Sequence, residues 1–428
     1  MNTKVRITQV ETHRVIMPCK SLLQSGGGGR RVPSSFPTVA VPEDEAGKGL
    51  PGHAMERMYL VVHTDAGITG IGETWPMPPE TFAPLIGQNP MNVENVHLLY
   101  RGEENHAWVA VEMACMDIVG KVLDLPLCKL LHGEDVRRHV PHSAYCFFRL
   151  PNSEGKGGVD PQSYVAHCQD LIETFGFGCL KLKMGVYHPD IEVELVAEVR
   201  KSVGPKVLIR MDVNGVWSQA TAIRAMKKLE ACDLEYMEDP LQSTQQHAIH
   251  DFRGMRELRR RTLTPIAVDG NYRIKNLVNV IRYDAADVVL GDYYGCNGIK
   301  GLGRFYDMAK AFNLGISMHS GYEMGVALMA RAHVGAATPG MYHAIDMHYH
   351  QLTDDVIEGG LIPIRQGCVS LSDRPGLGVA LDPERLERYR WTQEKHDENA
   401  RVTAELKARY ERIEHDSWVP EHGVFTEW

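Results

Sequence analysis

The sequence predicts an α/β protein: a (β/α)-type barrel of the TIM kind, preceded by an N-terminal α+β unit. Three observations carry this expectation. Eight short β-rich runs follow one another from residue 142 onward, most of them separated by amphipathic helical stretches, the alternation that builds a parallel sheet. Ahead of them, the first twenty residues and then residues 58–74 alternate with a period of two about an Asp65-Ala66-Gly67 turn, as a short antiparallel meander does. The chain has 428 residues, 43% hydrophobic and 24% charged, which suits one large barrel with an attachment and excludes a disordered or fibrous protein.

In chain order, residues 21–53 (with QSGGGGRRVP and VPEDEAGKGLPG) carry no periodicity and are too long for a plain connector, so they read as a lid or an insert. The four glycines are not a phosphate loop, because no Gly-Lys-Ser/Thr follows. Residues 92–124 turn to helical spacing, apolar nearly all round, as in a helix packed on both sides. That closes the first unit near residue 130. The eight strand candidates are HSAYCFF, CLKLKMG, VLIRMDVN, LEYMED, PIAVDGN, DVVLGDYY, GISMHSG and YHAIDMH. The expected division is 1–130, 131–355 for the barrel, and 356–428 for a C-terminal segment ending in a highly charged helical tail, read as a solvated helix or arm.

Charge narrows the functions. The net charge is -9, and no Lys/Arg-rich run forms a phosphate-binding stripe, so nucleic acid is not an expected partner. No run reaches membrane-spanning length and the N-terminus lacks a signal-peptide pattern, so no membrane partner and a cytoplasmic location are expected. The nine cysteines are scattered without a C-x-x-C, which argues against a disulfide framework or zinc ribbon and for small buried hydrophobes.

The ionisable residues ending successive strand candidates are Lys183, Asp212, Glu238, Asp269, Asp292 and His319, spaced by 29, 26, 31, 23 and 27 residues. Each gap is one strand-plus-helix unit, so in a barrel all six project from one rim. A single Asp at a strand end is more often a helix cap; six suitable residues in register are hard to explain as six independent caps. Asp212, Glu238 and Asp269 offer hard oxygen ligands that suit Mg²⁺, although Asp269-Gly270-Asn271 also reads as a turn. Lys181 and Lys183 flank Leu182, so both amines point to one side of the strand, where like charge and desolvation are expected to lower an amine's pKa. Asp292 and His319 lie one unit apart, so the carboxylate is expected to hold the imidazole in one tautomer. Together these parts describe removal of the proton α to a metal-bound carboxylate, with Lys183 and His319 as bases on opposite faces. Reprotonation from the other face would make a racemase or epimerase; loss of a β-hydroxyl would make a dehydratase. A non-catalytic metal-binding protein is the third reading, and intact bases on both faces weigh against it.

These motifs (KLK, DVN, MEDP and the Asp/His pair) resemble the enolase superfamily. The resemblance implies a capping domain, a modified (β/α)-barrel and Mg²⁺-assisted enolisation over nearly the whole chain. Asp292 with His319 is similar to the mandelate racemase type; the muconate cycloisomerase type would place a Lys where this chain reads GDYYG. SAYCFF, CLKLKMG, DVN, TPIAVD, LGD, MHS and HAIDMH look most like glucarate dehydratase-like members. That likeness implies a hydro-lyase acting on an acid sugar, an aldarate or aldonate, to give a 2-keto-3-deoxy acid. It assigns Asp212, Glu238 and Asp269 to the metal, Lys183 and His319 to proton transfer, and Lys181 and Asn214 to assistance at the enolate. Asp292 would orient His319, Asp346 would sit near the substrate, 21–53 would be the lid, and the assembly would be a homo-oligomer. The chain departs from those dehydratases in having Asp269 where they tend to carry Asn, GYEMG after His319, and the Gly-rich insert.

Overall fold

A computed structural model of the chain describes residues 5–19, 23–24, 38–40, 54–101, 106–134, 136–149, 161–185, 187–241, 251–269, 274–402 and 404. Three long strands, β1 (Ile7–Pro18), β2 (Ala54–Thr64) and β3 (Thr69–Thr74), form an antiparallel sheet in the order β1-β2-β3. Gly67, at φ +70°, makes the tight turn between β2 and β3, a conformation open to glycine without steric cost. Helix α1 (His106–Leu123) lies on this sheet and is buried along nearly all its length, which accounts for its all-round apolar sequence. The approach is close: a Cβ on Gly72 would sit 2.0 Å from the carbonyl oxygen of Ala110, and one on Gly70 would sit 2.2 Å from that of Ala114.

The barrel strands are β4 (His139–Cys146), β5 (Cys179–Lys183), β6 (Leu208–Asp212), β7 (Tyr236–Glu238), β8 (Ile266–Val268), β9 (Val288–Gly291), β10 (Gly315–Met318) and β11 (Ile345–Met347). The eight are parallel to one another, β11 pairing with β4 and the series running from β4 to β10, while Cys368–Ser370 pairs antiparallel with the start of β4. Side chains bridge the two ends: Ser317 Oγ donates to Ala344 O at 2.9 Å, and Arg331 Nη2 to Asp346 O at 3.2 Å. The crossovers carry helices α2 (Pro161–Phe175), α3 (Pro189–Val203), α4 (Gln219–Leu229), α5 (Phe252–Arg259), α6 (Ile274–Tyr283), α7 (Ile299–Ala311) and α8 (Gly325–Ala336). Local signals start several of them: Ser218 accepts from Thr221 N, and Asp251 from Gly254 N.

Two of these helices begin against the N-terminal unit. Glu112 of α1 accepts from the N–H groups of Ile299 and Lys300 at the start of α7. Glu73 of β3 accepts from Met324 at 2.7 Å and Ala327 at 2.9 Å, at the start of α8. Buried carboxylates thus meet the unsatisfied donors and positive dipole end of each helix. Burial pushes both carboxyls up to about 7, against the lowering pull of those amides.

The C-terminal stretch returns to β1, with Ile16 N–H donating to Tyr389 O and Trp391 N–H to Arg14 O. The charged tail, expected as a solvated arm, is anchored where it is described. His396 Nδ1 lies 2.6 Å from Glu56 Oε1, Ala54 N–H donates to Asn399 Oδ1, and Val402 is buried. Polar anchors spaced three residues apart along a helix were not distinguishable in sequence from a solvated face. Beyond residue 404 the tail lies outside the described residues, as does most of the expected lid. Within 21–53, Leu23–Gln24 pairs with Thr38–Ala40, which in turn pairs with Phe148–Arg149 just after β4. The nine cysteines are free, eight of them buried. Among the described residues no helix is long and apolar enough to cross a membrane.

Gly72→Ala forces backbone to shift at the sheet–helix contact; it is expected to lower stability by about 1–3 kcal/mol in urea unfolding, whereas Gly303→Ala, with open space around it, is expected to be neutral or stabilising.

Candidate active site

Strand register builds the site in two layers. Lys183 pairs with Asp212, and Asp212 with Glu238, so these three stand on one rung at the C-terminal ends of β5, β6 and β7. Two residues lower, Tyr145, Lys181, Arg210 and Tyr236 share the next rung that faces the same side. Asp269 follows β8, Asp292 follows β9 and His319 follows β10, all at the same end of the sheet.

The lower layer is a closed ionic network. Lys181 is fully buried; its Nζ donates to Glu238 Oε1 and Asp346 Oδ2, both at 2.7 Å, and lies 3.4 Å from Asp212 Oδ2. Asp346 also accepts from Ser143 Oγ at 2.7 Å, Tyr145 Oη at 3.2 Å and Arg210 Nη1 at 3.0 Å. Arg210 Nε then donates to Glu235 Oε2 at 2.6 Å, and Glu235 Oε1 lies 2.6 Å from His343 Nδ1. Two expectations change here. Burial does disfavour the Lys181 ammonium, but Asp346, Glu238 and Asp212 outweigh it and hold its pKa well above the usual lysine value, so the amine stays charged. Asp346, expected beside the substrate, is fully buried beneath Lys181 and spends its oxygens on the network.

The upper layer keeps an open edge at Lys183, Asp269 and His319, while Asp212, Glu238 and Asp292 are buried. Lys183 Nζ lies 2.5 Å from Asp212 Oδ2 and its side chain is 12% exposed; that of His319 is 21% exposed. Burial would raise Asp212, but the charges of Lys183 and Lys181 bring it down to about 2. Burial, reinforced by Lys181, Lys183 and Arg331, holds His319 well below the usual histidine range, so its imidazole is neutral. Asn214, at φ +50°, donates its backbone N–H to Asp212 Oδ1 at 2.9 Å.

Asp292 and His319 do not form the expected dyad. The Asp292 carboxyl accepts from Tyr294 N at 2.6 Å and faces Arg331 Nη1 at 3.5 Å, while the acid near the imidazole is Asp269, 3.7 Å from His319 Nε2. Arg331 is supplied by α8 from inside the barrel wall, and nothing in the β9 or β10 sequence announces it. Burial pushes Asp292 up to about 7 in spite of that arginine.

Among the described residues no three His, Cys, Asp or Glu side chains close on one point as metal ligands would; the two lysine ammoniums contact the carboxylates instead. The donor set nevertheless fits a hard dication. Asp212, Glu238 and Asp269 end consecutive strands, and both oxygens of the buried Glu238 carboxylate lie 2.7 Å from the Lys181 ammonium. Burial first, then the negative charges of Asp212, Asp346 and Asp269, hold Glu238 well above the usual carboxylate range, the crowding that a dication relieves.

His348, overlooked in the sequence although it lies two residues beyond Asp346, just past the end of β11, joins the rim. Its ring lies 4.0 Å from that of Tyr322 and 4.1 Å from that of Tyr145, and its Nδ1 is 2.6 Å from Ser320 Oγ. Arg210 was legible by the same period-two argument, two residues before Asp212.

Residues 163–385 match the family "Enolase C-terminal domain-like", and residues 53–132 match "Mandelate racemase / muconate lactonizing enzyme, N-terminal domain". The chain therefore belongs to the enolase superfamily, in its mandelate racemase and muconate lactonizing branch. It is 31% identical over 373 residues to a probable glucarate dehydratase of Streptomyces coelicolor, covering 77% of this chain and 83% of that one. It is 26% identical over 365 residues to D-xylonate dehydratase of Haloferax volcanii, covering 77% and 84%. Racemases and cycloisomerases of the family match at 25–27% identity. Among solved structures, an enolase from Pseudomonas fluorescens with bound magnesium, potassium and tartrate superposes with a TM-score of 0.77 at 27% identity, over 94% of this chain and 97% of that one.

Arg210→Met, which strips Asp346 and Glu235 of a buried partner, is expected to destabilise the fold by about 3–5 kcal/mol. Lys228→Ala, which removes an exposed pair with Asp190, is expected to cost under about 1 kcal/mol in the same thermal or urea unfolding experiment.

Proposed function

We propose that the protein is a Mg²⁺-dependent acid-sugar dehydratase, a hydro-lyase that takes the proton α to the carboxylate of an aldonate or aldarate and expels the β-hydroxyl, leaving a 2-keto-3-deoxy acid. The observation that carries the reading is the placement of Lys183 and His319. Both keep an exposed edge, they stand on β5 and β10, and Asp212, Glu238 and Asp269 lie on the strand ends between them. Asp212, Glu238 and Asp269 would hold Mg²⁺; the ion would acidify the α-carbon by neutralising charge that develops on the substrate carboxylate. Magnesium bound in the Pseudomonas fluorescens enolase and the similarity to the two dehydratases named above support this choice. In this reading a base on each face reaches the α- or β-position, and the neutral imidazole of His319 is ready to accept a proton. Lys181, permanently charged, would stabilise developing negative charge instead of moving a proton. Asn214 would assist there, and Asp292 would act on His319 through the rim and Arg331. In this reading the chain would divide into 1–130, 131–355 and 356–428, with 21–53, most of which lies outside the described residues, as a lid.

Racemisation is the second reading, favoured by bases on two faces and by the racemases among the relatives. Incubation of the Mg²⁺-loaded protein with a panel of aldonates and aldarates is expected to yield a 2-keto acid from at least one, with loss of activity in EDTA and recovery on Mg²⁺. Of Lys183→Ala and His319→Asn, at least one is expected to lower kcat by about 10²–10⁴. Deuterium wash-in at the α-carbon without keto acid would establish the racemase; neither signal across the panel rejects both readings.

A further inference from the structure

The loop after His319 is held by the N-terminal unit. Arg57 of β2 is 1% exposed, a buried charge that must find partners. Its Nη2 donates to Gly321 O at 2.9 Å and to Tyr322 O, its Nη1 donates to Glu56 O at 2.8 Å, and its Nε faces Glu73 Oε1 at 3.7 Å. The guanidinium carbon lies over the ring of Trp75, 3.7 Å from its centroid. Glu73 meanwhile takes the N–H groups of Met324 and Ala327. One arginine–glutamate pair from the sheet β1–β3 therefore grips both the carbonyls in the middle of the loop and the amides at its end.

What it grips is strained. Tyr322 sits at φ +63°, a left-handed conformation that costs a bulky side chain about 1–3 kcal/mol and persists only where the surroundings impose it. That backbone turn lays the Tyr322 ring on His348, with the planes 22° apart, over a compartment that also contains Tyr145 and Phe147. Ser320, in the same loop, holds His348 by its Nδ1.

We propose that Arg57 is a positioning residue of the active site: by fixing the carbonyls of Gly321 and Tyr322 it holds the Tyr322 ring on His348, and so sets the wall of the site beside His319. The role rests on the reading that His319 and Lys183 face the substrate. A planar fork that serves two carbonyls while lying on an indole is specific to arginine; a lysine ammonium is a compact point charge and does not replace it.

Hydrogen–deuterium exchange on the full chain tests the loop without reference to activity. In Arg57→Met and in Arg57→Lys, amides of residues 319–324 are expected to exchange about tenfold faster or more, while residues 208–212 keep their protection. Unchanged exchange at 319–324 overturns the proposal. Should Arg57→Met lose protection throughout, Trp75→Leu, at a ring 36% exposed, removes only the surface under the guanidinium. It is expected to speed the same amides about threefold, and wild-type exchange there overturns the proposal equally. On any substrate found to turn over, Arg57→Met, Tyr322→Ala and the double variant are expected to show the same rise in KM and fall in kcat, since the arginine acts through the tyrosine. Additive effects point to a purely structural arginine and overturn the proposal. A wild-type protein inactive on every acid sugar defeats the dehydratase reading while the exchange result still decides the role of Arg57.

Discussion

The ammonium of Lys181 constrains everything around it. A lysine with no exposed surface needs its charge met inside the protein, and Glu238 and Asp346 meet it at 2.7 Å each. The compensation then propagates: Asp346 needs Arg210, Arg210 needs Glu235, and Glu235 ends on the partly exposed His343. The path crosses the barrel interior through side chains on β5, β11, β6 and the approach to β7. Asp346, Arg210 and Glu235 are each held by a neighbour on both sides along this path.

Around that path the working groups divide by exposure. Tyr145, Lys181, Arg210 and Asp346 are sealed, whereas Lys183, His319 and Asp269 keep an edge open. The same rung spacing of two residues that separates Lys181 from Lys183 separates a sealed amine from one with an exposed edge. Proximity and electrostatic preorganisation then follow from strand register, with the pairing of Lys183 to Asp212 and of Asp212 to Glu238 setting their order around the rim.

The sequence carried the strands and the rim because both depend on periodicity. Spacing along the chain located Lys183, Asp212, Glu238, Asp269, Asp292 and His319 at strand ends, where the structure places them. Partner choice was not legible. A K-x-K pair looked like two cations lowering each other's pKa, but the acids that reverse this for Lys181 come from β7 and β11, remote in sequence. Asp292 looked like the mate of His319, but Arg331 reaches it from α8. Asp346 was expected near the substrate only through the family likeness of HAIDMH, and the packing of four donors around it shows it sealed. Such adjacencies are decided by which helix packs where, and no local pattern encodes them.

Glu73 and Glu112 end on helices that are not their own. The barrel thus borrows two of its helix caps from another part of the chain, and the lender would be left with buried acids lacking donors if the two were parted. A chimera that transplants this barrel beneath a foreign cap inherits α7 and α8 with bare amide ends unless both glutamates travel with it. Replacement of this cap by another is therefore constrained by these two docking points.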